Sequence, residues 1–193
     1  MQKLGLFIAV LMLGFGASAM SSYASYGSDG NLWRFGWSIL RDDHTTNYSG
    51  QASQDSLTQH VSSKLGYEWS NGFYFGALYE SSSMYQNASG TPTPESRVSY
   101  GPSIGYFNSG FFGLGSYFLS TNDNLPNGTS FSGGSGYEFE LGYDYNVTSN
   151  FYIGISLIYN SFSWNQLNAG GSTISQNNAQ TDTYPALGIG FQF

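Results

Sequence analysis

The stretch Ser135-Gly-Tyr-Glu-Phe-Glu-Leu-Gly-Tyr-Asp-Tyr-Asn-Val147 decides the fold. Its odd positions from Tyr137 are Tyr137, Phe139, Leu141, Tyr143, Tyr145 and Val147; its even positions are Glu138, Glu140, Gly142, Asp144 and Asn146. Side chains of a strand alternate between two faces, so this segment is a strand with one apolar face and one carrying three carboxylates and a glycine. A slip of one residue would exchange every side chain between the faces, so the register is strongly specified.

The same period of two recurs on either side. Leu187, Ile189, Phe191 and Phe193 alternate with Ala186, Gly188, Gly190 and Gln192 at the end of the sequence. Phe151, Ile153, Ile155, Leu157 and Tyr159 alternate with Tyr152, Gly154, Ser156, Ile158 and Asn160, and Trp33, Phe35, Trp37 and Ile39 with Arg34, Gly36 and Ser38. Ser70-Asn71-Gly72, Asn108-Ser109-Gly110 and Thr148-Ser149-Asn150 each join two alternating segments and read as tight turns. Longer polar stretches, 42–56, 85–95, 122–134 and 164–181, read as loops. Eight strands remain: 31–41, 57–69, 73–84, 96–107, 111–121, 135–147, 151–163 and 182–193. Connections alternate long and short. The expected fold is therefore all-β, an eight-stranded antiparallel up-and-down barrel.

Two environments could suit such a barrel, and the polar face chooses between them. That face carries Arg34, Lys64, Glu68, Glu80, Arg97, Glu138, Glu140 and Asp144, with Gly36, Gly66, Gly76, Gly101, Gly105, Gly142, Gly154, Gly188 and Gly190. Glycine weakens a solvent-facing strand, but it suits the narrow interior of an eight-stranded barrel. A basic side chain facing lipid at the membrane midplane costs roughly 2–4 kcal/mol. The apolar face therefore meets lipid, and the barrel is transmembrane. The segment from Phe111 has an ambiguous phase; by analogy Gly113 and Gly115 are placed inward. Aromatics fall into two groups by height. Trp33, Trp69, Phe73, Tyr106, Phe112, Phe151 and Phe193 lie near the short-turn ends, and Tyr79, Phe118, Tyr137, Tyr159 and Trp164 towards the long-loop ends, as two interfacial girdles.

The chain opens with Lys3, an apolar run to Phe15 and Ala17-Ser18-Ala19, the pattern of a secretory leader. Cleavage is expected after Ala19, with residues 20–193 forming one barrel domain. Of five strong bases Lys3 leaves with the leader, so four face 12 acids, a net charge of about −8, and nucleic acid is an unsuitable partner. There is no cysteine, which excludes disulfides, thiolate chemistry and a lipid-anchored N-terminus.

With the leader, the eight alternating segments and the closing strand Tyr184-Pro-Ala-Leu-Gly-Ile-Gly-Phe-Gln-Phe193, the chain resembles the small bacterial outer-membrane barrels of the OmpA, OmpX and OmpW type. The resemblance implies an integral outer-membrane location, with outer-membrane lipids and lipopolysaccharide as surroundings and a monomeric state. It also implies that Leu187, Ile189, Phe191 and Phe193 form a C-terminal signal read by the barrel-assembly machinery.

Catalytic residues, cofactors and metals are not expected. His60 with Ser62 has the residue types of an acyl-transfer site but no further motif. Asp42, Asp43 and Asp55 are the best oxygen ligands for calcium, and read as solvated loop acids. The eight inward charges read as a paired network that plugs the lumen, Arg34, Lys64, Glu68 and Asp144 in the periplasmic half and Glu80, Arg97, Glu138 and Glu140 in the outer half. The expected function is a non-enzymatic integral outer-membrane protein with a structural or surface-interaction role. The alternatives are a narrow pore or conduit for small or hydrophobic molecules through a partly apolar lumen (Tyr74, Leu78, Tyr117, Tyr152, Ile158), a lipid-modifying enzyme, and a soluble secreted β-barrel.

Overall fold

The computed structural model describes residues 31–46, 54–88, 91–125 and 128–193. The leader and its cleavage site lie outside them. Eight strands follow one another: β1 Leu32–Thr46, β2 Gln54–Glu68, β3 Phe73–Ala88, β4 Thr91–Asn108, β5 Phe111–Asn124, β6 Ser130–Asn146, β7 Phe151–Ala169 and β8 Ser172–Gln192. Each pairs antiparallel with the next, and β8 returns to β1 to close the barrel. Closure uses the C-terminal aromatic strand: Phe35 faces Phe191, Trp37 faces Ile189 and Ile39 faces Leu187. Beyond them Phe193 N donates to Trp33 O at 3.0 Å and Trp33 N to Phe193 O at 2.8 Å. Pro185 lies two residues past the last β1 partner, where β8 pairs only with β7, a position that tolerates a missing N–H.

The three tight turns are where the sequence puts them, but the strands run further outward than expected. The stretch 164–181 is mostly strand. β7 and β8 continue as a polar ribbon to Gly170 and Gly171, whose φ of +58° and +81° make a two-residue turn. Asp42, Asp43 and Asp55 likewise belong to β1 and β2 and not to a loop; their backbones pair with Thr58, Leu57 and Thr45. A ladder above the membrane needs no apolar face, so hydrophobic alternation does not mark it.

The phase of β5 corrects the expectation. Leu114, Ser116 and Phe118 face inward; Gly113 and Gly115 face out, beside Leu141 and Phe139 of β6. Phe118 is therefore an interior residue, 0% exposed, and Tyr117, 52% exposed, an exterior one. Phe112 also points in, against Gly142. Trp164 is 2% exposed and packs inside with Phe118, Phe131, Phe162 and Leu78, so it belongs to no girdle. Stacking of Phe118 on Phe162, with ring centroids 5.3 Å apart, gives β5 a reason to present its large side chains inward.

The exterior is an apolar belt. Trp37, Leu65, Phe75, Ile104, Leu141 and Leu187 are all exposed, the last two at 67% and 65%. Among the described side chains, every charged one points into the lumen: Arg34, Glu80, Arg97, Asp123, Glu138, Glu140 and Asp144 are buried, and Lys64, Glu68, Glu95 and Asp182 are partly so. An apolar exterior of this extent around a charged interior is the reverse of a soluble barrel.

Candidate functional site: a bridged lumen

Interior glycines make room for large rings. A Cβ on Gly66 or Gly76 would collide with Tyr74, and one on Gly190 with Tyr152. Both tyrosines fill the short-turn half of the lumen, where Arg34 lies between two rings. Its guanidinium carbon is 4.1 Å from the Phe107 centroid and 4.5 Å from that of Tyr152. The same guanidinium donates to Glu68 Oε2 at 3.0 Å and to Asp144 Oδ2 at 2.5 Å. Only a cavity of about 50 Å³ remains at this level.

One layer further out, Lys64 Nζ donates to Glu140, which joins a residue expected in the periplasmic half to one expected in the outer half. The fully enclosed Glu138 stands next, between that pair and Glu80. The outer layer centres on Glu80. Asn160 Nδ2 donates to it at 2.9 Å and Arg97 Nη2 at 3.4 Å; Arg97 also donates to Asp182 at 2.9 Å and lies 3.9 Å over the Phe162 ring. Above this layer is a polar pocket of about 220 Å³ lined by His60, Glu95, Arg97, Asp182 and Tyr184.

The connectivity of these contacts matters more than their number. In a ring of eight, strands four apart face each other across the lumen. Lys64–Glu140 joins β2 to β6, Glu80–Asn160 joins β3 to β7, and Arg97–Asp182 joins β4 to β8. Arg34–Asp144 adds a chord from β1 to β6. All eight charged side chains expected in the lumen point into it; seven pair there, while both carboxylate oxygens of the enclosed Glu138 accept no hydrogen bond among the described residues.

Four participants were not singled out from sequence: Asp182, Asn160, Glu95 and Asp123. Asp182 and Asn160 share the parity of Ala186 and Ile158, so continuing the alternation finds them. Glu95 shares the parity of Arg97 but falls in a stretch read as loop. Asp123 follows a register shift between Phe118 and Thr121 that reverses the phase of β5. Glu95 and Asp123 lie above Tyr100 and Leu119, beyond the belt. Burial first, and then the neighbouring carboxyl of Asp123, raise the Glu95 pKa to about 7; burial also raises that of Asp123.

His60 and Ser62 form no acyl-transfer arrangement. Ser62 Oγ is 2.5 Å from Ser38 Oγ, while the His60 ring stacks on Tyr184 at 4.1 Å with Nδ1 3.7 Å from Glu80. Among the described residues no group of His, Asp and Glu is arranged to hold a metal ion.

A closed ring of eight strands, a charge-free apolar belt and a charged interior define a small β-barrel of the outer-membrane type. Its fold is similar to that of the outer membrane protein OprG from Pseudomonas aeruginosa, at 12% identity and a TM-score of 0.45 over 85% of this chain and 96% of that one. It is also similar to Neisserial surface protein A, NspA, at 16% identity and a TM-score of 0.48, covering 85% and 99%. For the translocator domain of the autotransporter NalP from Neisseria meningitidis, the figures are 14%, 0.41, and 97% and 71%. No family model and no curated protein matches the chain.

Proposed function

We propose that the chain is an exported, non-enzymatic integral outer-membrane protein whose lumen is plugged, and whose role is structural or exercised at its outer surface. One observation carries this reading: three pairs of opposite strands are joined by polar side-chain contacts across the interior. Water-filled passage would require these contacts to part together, which leaves several charges enclosed without partners. The leader, cleaved after Ala19, directs export. The outward row Leu187, Ile189, Phe191 and Phe193 serves as the signal for the assembly machinery, and outer-membrane lipids and lipopolysaccharide surround the belt.

Planar-bilayer recording of the refolded barrel tests the plug. Silence, or rare brief openings, is expected; a steady open-channel current would overturn it. Fractionation with the outer membrane and a heat-modifiable gel band test the location, and extraction into detergent-free buffer would refute it.

A further inference from the structure

At one height on the outer wall, two strand pairs shift their register and the ladder between them is interrupted. The β5–β6 pairing shifts between Phe118 and Asp123, and β7–β8 shifts between Trp164 and Gln166. The β6–β7 pairing runs from Ser132–Gln166 to Ser135–Ser163 without a partner for Gly133 or Gly134. Bulges of this kind gather where a sheet builds a site. Here they open an exterior groove of about 400 Å³ lined by Gly133, Ser135, Ser163, Asn165, Asn177 and Asn178. Gly133 has φ +63°, and a Cβ on it would press on the amide oxygen of Asn165 at 2.5 Å, so the groove depends on a bare backbone there. Trp164 lines the groove from behind; its indole Nε1 is buried and donates to nothing among the described residues.

Beside Trp164, Ala179 and the bare Gly133, the groove's polar side chains are all neutral. They offer three amides and two hydroxyls, each able to donate and accept, and no charge. None of these side chains makes a hydrogen bond to another described side chain, so their capacity is unspent. The whole distal ribbon, 161–181, contains no charged residue. Every base among the described side chains lies inside the barrel, so a phosphate or acidic partner finds no cation in this groove. The groove also lies just beyond the end of the apolar belt. Ser135 is two residues past Tyr137, and Ser163 is four past Tyr159; these are exterior tyrosines whose rings are 6.2 Å apart. At a rise of roughly 3.3 Å per residue, it begins within about one to two strand repeats of the interface.

We infer that this groove is a binding site for the hydroxyl groups of a neutral saccharide. Such a ligand needs paired donors and acceptors without charge, and these side chains supply both. The saccharide is either the core of lipopolysaccharide in the same leaflet or a soluble glycan outside. The inference rests on the proposed membrane orientation, but not on the plug; a conducting barrel would leave it intact.

Refolded full-length protein in detergent is titrated with two probes: lipid-free, dephosphorylated core oligosaccharide, and a set of neutral soluble oligosaccharides. Each is repeated with Asn165→Ala/Asn177→Ala and, separately, Ser135→Ala/Ser163→Ala. These side chains hold no structural contact, so both variants are expected to keep the heat-modifiable band and to bind at least tenfold more weakly. Binding of the core alone assigns the membrane's own glycan; binding of the soluble set assigns an external one. No binding of either probe overturns the inference, as does equal binding by wild type and a folded variant. Binding abolished by moderate salt also overturns it, since a neutral contact is not screened.

Discussion

The membrane-spanning ring and the distal β7–β8 ribbon are built from the same paired strands, yet they obey different rules. In the ring each strand separates an apolar exterior from a crowded interior, so charge is confined to one face. Leu141 and Glu140 are adjacent, and neither could take the other's place. In the ribbon beyond Trp164 no residue is buried, and both faces reach water. Gln176, Asn177 and Asn178 succeed one another without alternation, and beside the backbone ladder Thr173 Oγ1 donates to Asn168 Oδ1 at 2.7 Å. The ring's sequence is dictated by solvent, while the ribbon's is free to serve recognition.

Removing a link in the ring should give the largest effect. Arg34→Ala leaves Glu68 and Asp144 facing each other between Phe107 and Tyr152. Breaking an enclosed pair by deleting one partner costs about 3–5 kcal/mol. Urea unfolding in detergent or lipid should show a loss of that size, and bilayer recordings an increase in openings. An unchanged midpoint would mean that water already screens the site.

The lipid face comes next. Leu141→Arg places a charge on the belt and should cost about 2–4 kcal/mol, read as a lower unfolding midpoint in vesicles. A cost near zero would mean that this position lies in the headgroup region and not within the belt.

The same contrast explains what could be read in advance. The closed ring, its polarity and all eight lumen charges were legible because two solvents enforce a period of two. β5 was not, because Gly113 and Gly115 resemble interior glycines and only Phe118, stacked on Phe162, reveals the phase. Asp123 was hidden by the register shift that precedes it. Trp164 had the parity of Phe162 and Ile158; grouping aromatics by height placed it outside, where parity would have put it in. The groove was invisible, since bulges in a polar ribbon leave no hydrophobic trace. Gly170-Gly171 was the one local signal of the ribbon, a turn dipeptide within a stretch otherwise read as loop.

At the outer mouth the expected effect is smaller and depends on pH. The Glu95 carboxyl is held at a pKa of about 7, above its ordinary 4.5, by burial and by Asp123. A raised carboxyl binds its proton more tightly in the folded state. Its contribution is therefore fully present below about pH 4.5 and is lost as pH rises through about 7. Amide exchange at the outer ends of β4 and β5 should accelerate over that window, with the spanning ladder unaffected. Glu95→Gln should flatten the response; a response that persists in this variant would assign it to Asp123 or Asp182.

The smallest effect is expected where the comparison is most exposed to failure. Ser175→Arg introduces into the ribbon the same side chain that Leu141→Arg introduces into the ring. Ser175 is exposed and pairs with Gln166, on the face opposite the Leu167–Ile174 pair. Nothing is desolvated and no enclosed partner is lost, so the change should lie within about 0.5 kcal/mol, as for surface substitutions generally. The unfolding midpoint and the heat-modifiable band should match those of the wild type. A cost comparable to that of Leu141→Arg would place the ribbon in an apolar or tightly packed environment. The distinction between a chain shaped by two solvents and one left free by water would then fail at the point where it is drawn.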